Sequence, residues 1–464
     1  MIKEYLEQNR ENIINDFMDI LKIPSVKGVA EDGAPFGREC ANALLKAKCF
    51  YNKNGFETEY DEEGGYLLSY YGEGEKRIGF FAHSDTVPPG DNWIYTSPFE
   101  PLLKDGCIIG RGTIDNKSAV IISLYCAKIL KELNIPLKNR LVLFTGSCEE
   151  GGMYDIQNYL SKHKEPDFSL VPDTGFPLFR GNKGRIVLAL KSRDAFTKGT
   201  CLKGGMAASV IGTAEATLPF FQKFSDMGDN VTAEKENGST LLCAKGIARH
   251  SATPSGGLGA FSPLCEVLLK AEKITKGDRK IFEDIKNMSD SVFGEFFGIE
   301  KEDAEYGPLT CVLTKVETDE DGFVTAHFNI RYGESENKDN IIESINKKAA
   351  ELGWEMAEIS KLSTPSAVPE DNEYVKALLN VYEKFIGHKN PPSYINAGGT
   401  YRQYLKNAVE IGNTLKWEKS FDLPKGHGGA HEPDEYINIS GLLKAIEVTI
   451  LMLLEIDKML SAKQ

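Results

Sequence analysis

Residues 141–152 read LVLFTGSCEEGG. Leu141 to Thr145 has the apolar, β-rich composition of a buried strand. The run then stops at two adjacent glutamates, Glu149 and Glu150, followed by two glycines. Adjacent carboxylates repel and raise each other's pKa unless a cation lies close by. Alone, the pair describes a solvated turn after a strand, because charged side chains mostly stay in water. The reading changes if other strand ends deliver matching groups.

They do. Ile78 to Ala82 reads as a central strand ending at His83-Ser84-Asp85. Gly110-Arg111-Gly112-Thr113-Ile114-Asp115 is a turn, and Asn116 opens a helix to about Leu133. A helix near Tyr154 to Ser161 precedes a strand, Phe168 to Val171, that ends at Pro172-Asp173. Strand alternating with helix is the α/β signature of a parallel sheet. Such sheets bind ligands at the carboxyl ends of their strands. His83, Asp115, Glu149, Glu150 and Asp173 all fall there.

Around this centre, residues 4 to 22 carry a helical apolar stripe, and a second helix is expected over about 37–54. Phe56 to Tyr71 reads as strand, with a hairpin tip at Gly72-Glu73-Gly74. From Gly184 the texture changes. Strands such as Arg185 to Lys191 and Phe323 to Tyr332 mix with helices at about 262–274 and 340–352, and no second acid–histidine cluster of this kind appears. An inserted domain over 184–363 is of ordinary domain size. It divides the first domain into 1–183 and 364–464. The returning chain brings a helix at 373–385, a turn at Gly398-Gly399-Thr400, a strand near 409–411 and a helix over 440–460. Gly426 to Pro433, GHGGAHEP, lies between the last two.

Bulk properties narrow the class. The 464 residues suffice for two or three domains. A formal net charge of -14 argues against nucleic acid or an anionic membrane as partner. The N-terminus lacks an apolar signal core, and no apolar run reaches membrane-spanning length. Nine scattered cysteines without CxxC spacing fit a reducing compartment, so a cytoplasmic protein is expected.

The collected residues suggest hydrolytic chemistry. Asp85, two residues after His83, can fix the imidazole tautomer so that the other nitrogen binds a metal. Taken alone, His-x-Asp describes a satisfied structural histidine better than a ligand. Asp115 can bridge two cations, although an aspartate before a helix is also a common cap. One of Glu149 and Glu150 can bind metal while the other acts as general base. Asp173 adds an oxygen donor and His431 a second imidazole. This set suffices for two divalent cations that activate water. Without cysteine ligands, zinc is the first choice, with manganese or cobalt as alternatives.

The motifs GFFAHSDTVP, GRGTIDNKSA, TGSCEEGG, VPDTGFP and GAHEPDEY resemble the M20 family of co-catalytic metallopeptidases. They occur in the family's order along the whole chain. IPSV near the N-terminus, PPGD before Trp93 and the returning TPSAVP resemble the PepV-like bacterial dipeptidases, also called Xaa-His dipeptidases. The resemblance implies an α/β catalytic domain, a mixed sheet flanked by helices, carrying an inserted α+β lid. It implies His83 and Asp173 on one metal, Glu150 and His431 on the other, and Asp115 bridging. Glu149 would be the general base and Asp85 the partner of His83. It further implies a cis peptide at Asp115-Asn116, His250 as oxyanion stabiliser, and Arg331 with Gly398, Gly399 and Thr400 as binders of the substrate's C-terminal carboxylate. Ser209 stands where relatives carry asparagine, which places one substrate contact in question.

The expected activity is cleavage of dipeptides with free termini, a small-molecule substrate. A lid of this length could supply His250 in cis, which allows a monomer. Two alternatives remain: an N-acyl amino acid deacylase of the same fold, and a catalytically silent metal-binding homologue. Retention of all five ligand positions and Glu149 opposes the second. His163, His327, His388 and His427 match no ligand position and are read as structural or surface residues.

Overall fold

The computed structural model describes residues 1–206, 208–415 and 423–462. The chain divides into two compact units, Met1–Gly181 with Ala367–Gln464, and Asn182–Ser366.

The first unit is built on a mixed sheet. Its strands run Thr58–Asp61, Tyr66–Tyr71, Arg140–Gly146, Arg77–His83, Phe168–Thr174, Ala408–Gly412 and Phe179–Asn182 in spatial order. Arg140–Gly146, Arg77–His83, Phe168–Thr174 and Ala408–Gly412 are mutually parallel, and the flanking strands are antiparallel. The strand ending at His83 has Arg140–Gly146 on one side and Phe168–Thr174 on the other. The chain therefore reverses its direction of sheet growth there, which opens a crevice at the strand ends. On one face the core includes Phe17, Leu44, Ile121 and Ile446, from the helices Arg10–Leu21, Arg38–Lys53, Lys117–Glu132 and Ile439–Ser461. On the other, Phe81, Phe144, Tyr159 and Tyr401 form an aromatic cluster. The buried strands read as continuous apolar runs because both faces are covered.

The second unit carries an antiparallel sheet ordered Val231–Glu236, Ser239–Lys245, Thr213–Leu218, Cys201–Gly205, Thr310–Thr318, Val324–Tyr332, Gly184–Ser192 and Trp354–Ser363. Phe261, Phe282 and Ile345, from the helices Phe261–Leu268, Lys276–Asp290 and Lys338–Leu352, share a core with Ile186, Leu188, Phe328 and Ile330 of the strands. The fold is thus the expected mixed α/β arrangement.

Several local expectations need correction. The hairpin turns at Glu62–Gly65, before Tyr66–Tyr71, and not at 72–74. Asp61 receives the Gly64 N–H at 2.8 Å, and Gly65 has φ +70°, so this is where the chain can reverse. The N-terminal stripe breaks into Ile2–Gln8 and Arg10–Leu21. The helix expected over 262–274 ends at Leu268, and Lys276–Asp290 is a separate helix. Thr275 caps it by accepting the Asp278 N–H at 3.0 Å.

Candidate metal centre

The parallel strands bring their charged ends together in the first unit. His83 is the last residue of its strand, Glu149 and Glu150 follow Arg140–Gly146, and Asp173 lies in Phe168–Thr174. Asp115 precedes the helix Lys117–Glu132, and its peptide with Asn116 is cis. His431 arrives from a distant loop with φ +63°.

One donor atom each from His83, Glu149 and Asp173 lies within 4.8 Å of the others, and Asp115, Glu150 and His431 form a second such group. Asp115 faces both: its Oδ1 is 3.2 Å from His83 Nε2 and its Oδ2 is 3.0 Å from His431 Nε2. His431 Nε2 is also 2.9 Å from Glu150 Oε1, and His83 Nε2 is 3.6 Å from Asp173 Oδ1.

Asp85 is fully buried beneath this cluster. Its Oδ1 is 3.3 Å from His83 Nδ1, and its two oxygens accept the N–H groups of Glu149 and Glu150, each at 3.0 Å. One carboxylate thereby holds both glutamate N–H groups and lies against the imidazole, whose Nδ1 also hydrogen-bonds to the Asp85 main-chain carbonyl at 3.1 Å. Asp155 does the same one step earlier, accepting the Ser147 and Cys148 N–H groups at 2.7 Å and the Tyr401 hydroxyl. The Tyr401 ring packs edge-on to His83. A Cβ on Gly146 would overlap both Tyr401 Oη and Asp155 Oδ2, so the strand must end in glycine for this packing.

Glu435 supports the opposite side. Its buried carboxylate accepts the N–H groups of Gly112, Ile114 and Asp115 at 2.9, 2.6 and 2.9 Å, and Arg111 Nη1 at 2.7 Å. Asn116 Nδ2 donates to Pro172 O at 2.8 Å and to Asp173 Oδ1. His427, read as structural or surface, pairs through Nδ1 with Asp434 Oδ2 at 2.7 Å, and Asp434 accepts the N–H groups of Ile94 and Tyr95. This pair anchors the loop that carries His431.

The electrostatics call for added positive charge. Burial, then repulsion from Asp173, pushes the Glu149 carboxyl well above its ordinary pKa. Burial and Asp115 push Glu150 to about 7 despite the opposing pull of His431. Burial alone would lower His83, but Asp173, Asp115 and Asp85 outweigh it and raise it well above normal. His431 rises to about 11 as the Asp115 and Glu150 carboxylates overcome its burial. It is 49% exposed, so solvent screens part of this effect. With protein groups alone, the histidines take protons to offset the carboxylates. His83 Nε2 and Glu149 Oε1 are buried and lack a hydrogen-bond partner among the described residues. An imidazole nitrogen and carboxylate oxygens left open in a buried, acid-rich cluster are a donor set that suits divalent cations.

The remaining candidates lie apart in sequence. In the first unit, Gly398 donates its N–H to Asn396 Oδ1 at 2.7 Å, Gly399 follows it, and Thr400 donates its hydroxyl to the buried Glu410 at 2.5 Å. The turn Tyr401–Tyr404 follows directly, tying this loop to the ring beside His83. In the second unit, Ser209 and His250 are brought opposite one another in an antiparallel bridge, and Arg331 lies on Val324–Tyr332.

A parallel-centred sheet that gathers carboxylates and imidazoles at its strand ends forms a candidate centre for divalent cations. The chain belongs to peptidase family M20/M25/M40, whose model matches residues 79–455. The Bacillus subtilis protein named "Putative dipeptidase YtjP" is 30% identical over 97% of this chain and 98% of its own length. A Staphylococcus aureus relative, "Putative dipeptidase MW1694", is 26% identical over 97% of both chains. Among solved structures, human carnosine dipeptidase 1 superposes with a TM-score of 0.62 at 13% identity, covering 98% of both chains. Aminoacylhistidine dipeptidase from Vibrio alginolyticus gives 0.54 at 16% identity over 96% of both. These two share the fold. No described helix is long and apolar enough to cross a membrane.

Proposed function

We propose that the protein is a dinuclear metal-dependent dipeptidase that hydrolyses dipeptides with free termini. The observation that carries this reading is Asp115, whose two carboxylate oxygens face two different histidines, each beside further carboxylates. His83 and Asp173 would hold one divalent cation, Glu150 and His431 the other, and Asp115 both. Zinc is the first candidate, with manganese and cobalt as alternatives. Two bound cations would supply Lewis-acid charge at the scissile carbonyl and make water a stronger acid.

The chain's own residues do the rest. Glu149, buried and raised in pKa, takes a proton from the attacking water and returns it to the leaving amine. Asp85 holds the His83 ring and the two glutamate N–H groups in place. Gly398, Gly399 and Thr400 bind the C-terminal carboxylate, a role supported by the motif resemblance. The same resemblance supports Arg331 as the guanidinium clamp on that carboxylate, His250 as donor to the developing oxyanion, and Ser209 as a shorter polar substrate contact.

The test is a panel of L-dipeptides, a tripeptide and an N-acetyl amino acid. Each is assayed with chelator, with zinc or manganese, and against Glu149→Ala. Metal-dependent cleavage of dipeptides alone, abolished in Glu149→Ala, is the expected result. Preference for the acetyl substrate assigns the protein to the deacylases. Binding of two cations without turnover of any substrate overturns the enzymatic reading.

A further inference from the structure

Residues 23–27, IPSVK, link the helices Arg10–Leu21 and Arg38–Lys53 and touch three of the segments that carry the centre. Ser25, fully buried, donates its hydroxyl to Ser84 O at 2.6 Å, and its carbonyl accepts the Thr86 N–H at 2.9 Å. Val26 and Thr86 form a parallel bridge. The strap is therefore stitched to the residues on both sides of Asp85. Ile23 O accepts Lys117 Nζ at 2.5 Å, two residues after Asp115.

Lys27, at the end of the strap, reaches the third segment. Its Nζ donates to Gly151 O at 2.7 Å, directly after Glu150, and lies 5.0 Å from the centroid of the Tyr154 ring. A Cβ on Gly151 would stand 2.4 Å from Lys27 Cδ and 2.8 Å from Cys148 Sγ, so a side chain there would have to displace one of them. The rest of this turn is held in other ways. Asp85 accepts the Glu149 and Glu150 N–H groups. Cys148 O and Glu149 O accept the N–H groups of Met153 and Gly152 at 2.6 and 3.3 Å. The Gly151 carbonyl takes its donor from outside the turn, at Lys27. Glu150 thus lies between a peptide N–H held by Asp85 and a carbonyl held by Lys27.

We propose that Lys27 is a positioning residue of the centre. Its backbone is pinned through Ser25 and Val26 to the segment that follows His83, and its ammonium group sets where the Glu150 turn stands. It acts through the main chain on the cation held by Asp115, Glu150 and His431. This inference rests on the two-cation reading of the centre. Charge alone predicts the opposite sign. An ammonium group near the centre repels a divalent cation, so its removal would tighten binding. Loss of a brace weakens it.

The experiment titrates metal-free protein with zinc against a competing chelating dye, for the unaltered chain, K27M and K27R. Lys27 is exposed, so K27M should leave the fold intact. The expected result is that K27M weakens one of the two cations about 10-fold, the lower end for losing an outer support, and leaves the other within about twofold. K27R, which keeps the charge and a donor, should stay within about threefold of the unaltered protein. In an E150Q background, K27M should change the affinity of the remaining cation by less than about twofold. Equal or tighter binding in K27M overturns the proposal, and so does an undiminished loss in the E150Q background. If the unaltered protein binds fewer than two cations, the two-cation reading fails, and amide hydrogen exchange of the metal-free protein decides the brace. Exchange at Glu149 and Glu150 that rises in K27M and returns in K27R supports it. Unchanged exchange overturns it.

Discussion

Asp85 joins two functions that the sequence presents separately. Its spacing from His83 suggests an imidazole partner; in the structure Nδ1 lies 3.3 Å from Asp85 Oδ1 and 3.1 Å from the Asp85 main-chain carbonyl. The sequence does not reveal that both oxygens also receive the Glu149 and Glu150 N–H groups. Asp85→Asn keeps the shape but replaces one acceptor with an NH2 group that opposes a peptide N–H. The expected result is a loss of about 10- to 100-fold in metal affinity or activity, the usual effect of removing such a support. Competition against a chelating dye, alongside kcat, measures it. Glu149→Gln is expected to separate chemistry from binding. It should lower kcat by about 10² to 10⁴ while elemental analysis still finds two cations per chain. An equal loss of metal would make Glu149 a ligand instead of a base. The chemical letters of the centre, His, Asp and Glu at strand ends, were legible because few other side chains do this chemistry. Their supports Tyr401 and Glu435 were not, because each acts on residues more than 200 positions away, and Asp155, although only seven and eight residues from the N–H groups it holds, has no recognised spacing signal.

Loops and turns were the least legible elements, and charge explains why. Glu435 sits in the same GAHEPDEY motif as His431, yet its work is to hold the distant 111–115 turn. Glu435→Gln would leave the Arg111 guanidinium buried without its counter-charge. The expected cost is about 3 kcal/mol, read by chemical denaturation. Asp303 is the equivalent in the second unit. It accepts the N–H groups of Glu305, Tyr306 and Ser335, all at 2.9 Å. Burial works against the charge, but these three bonds prevail and hold its pKa at about 2, below the ordinary aspartate value. A depressed carboxylate stabilises the fold above its unfolded pKa. That stability fades as pH falls from about 4 towards 2. Asp303→Asn should flatten stability across this window and cost about 1–2 kcal/mol at neutral pH. Regular elements were easier to find: the strands ending at His83 and Gly146 follow from unbroken apolar runs. The helix Lys276–Asp290 went unread although Thr275 and the spacing of Ile281, Ile285 and Met288 signal it. Its many charged residues obscured the stripe.

At the scale of the whole molecule, the change of texture near Gly184 was visible because β-rich segments without acid–histidine clusters replace α/β alternation. All six grouped donors, His83, Asp115, Glu149, Glu150, Asp173 and His431, belong to the first unit. The second unit has its own sheet and its own apolar core. Cation binding should therefore act on one unit's stability and leave the other's intrinsic stability unchanged. Four carboxylates repel one another in the centre, and two cations would relieve that repulsion only in the folded state. At a free cation concentration 100 times Kd, each site adds about 2.7 kcal/mol. For a unit of this size, two sites correspond to a rise of ~10 °C in Tm. Calorimetry should resolve a transition that moves up with zinc or manganese and down with chelator, beside one that stays in place. Glu150→Gln, which removes one donor, should reduce the metal-dependent shift without moving the second transition. If chelator moves both transitions together, the units unfold as one cooperative body. If it moves neither, the carboxylate–histidine cluster holds no cation strongly enough to serve hydrolysis.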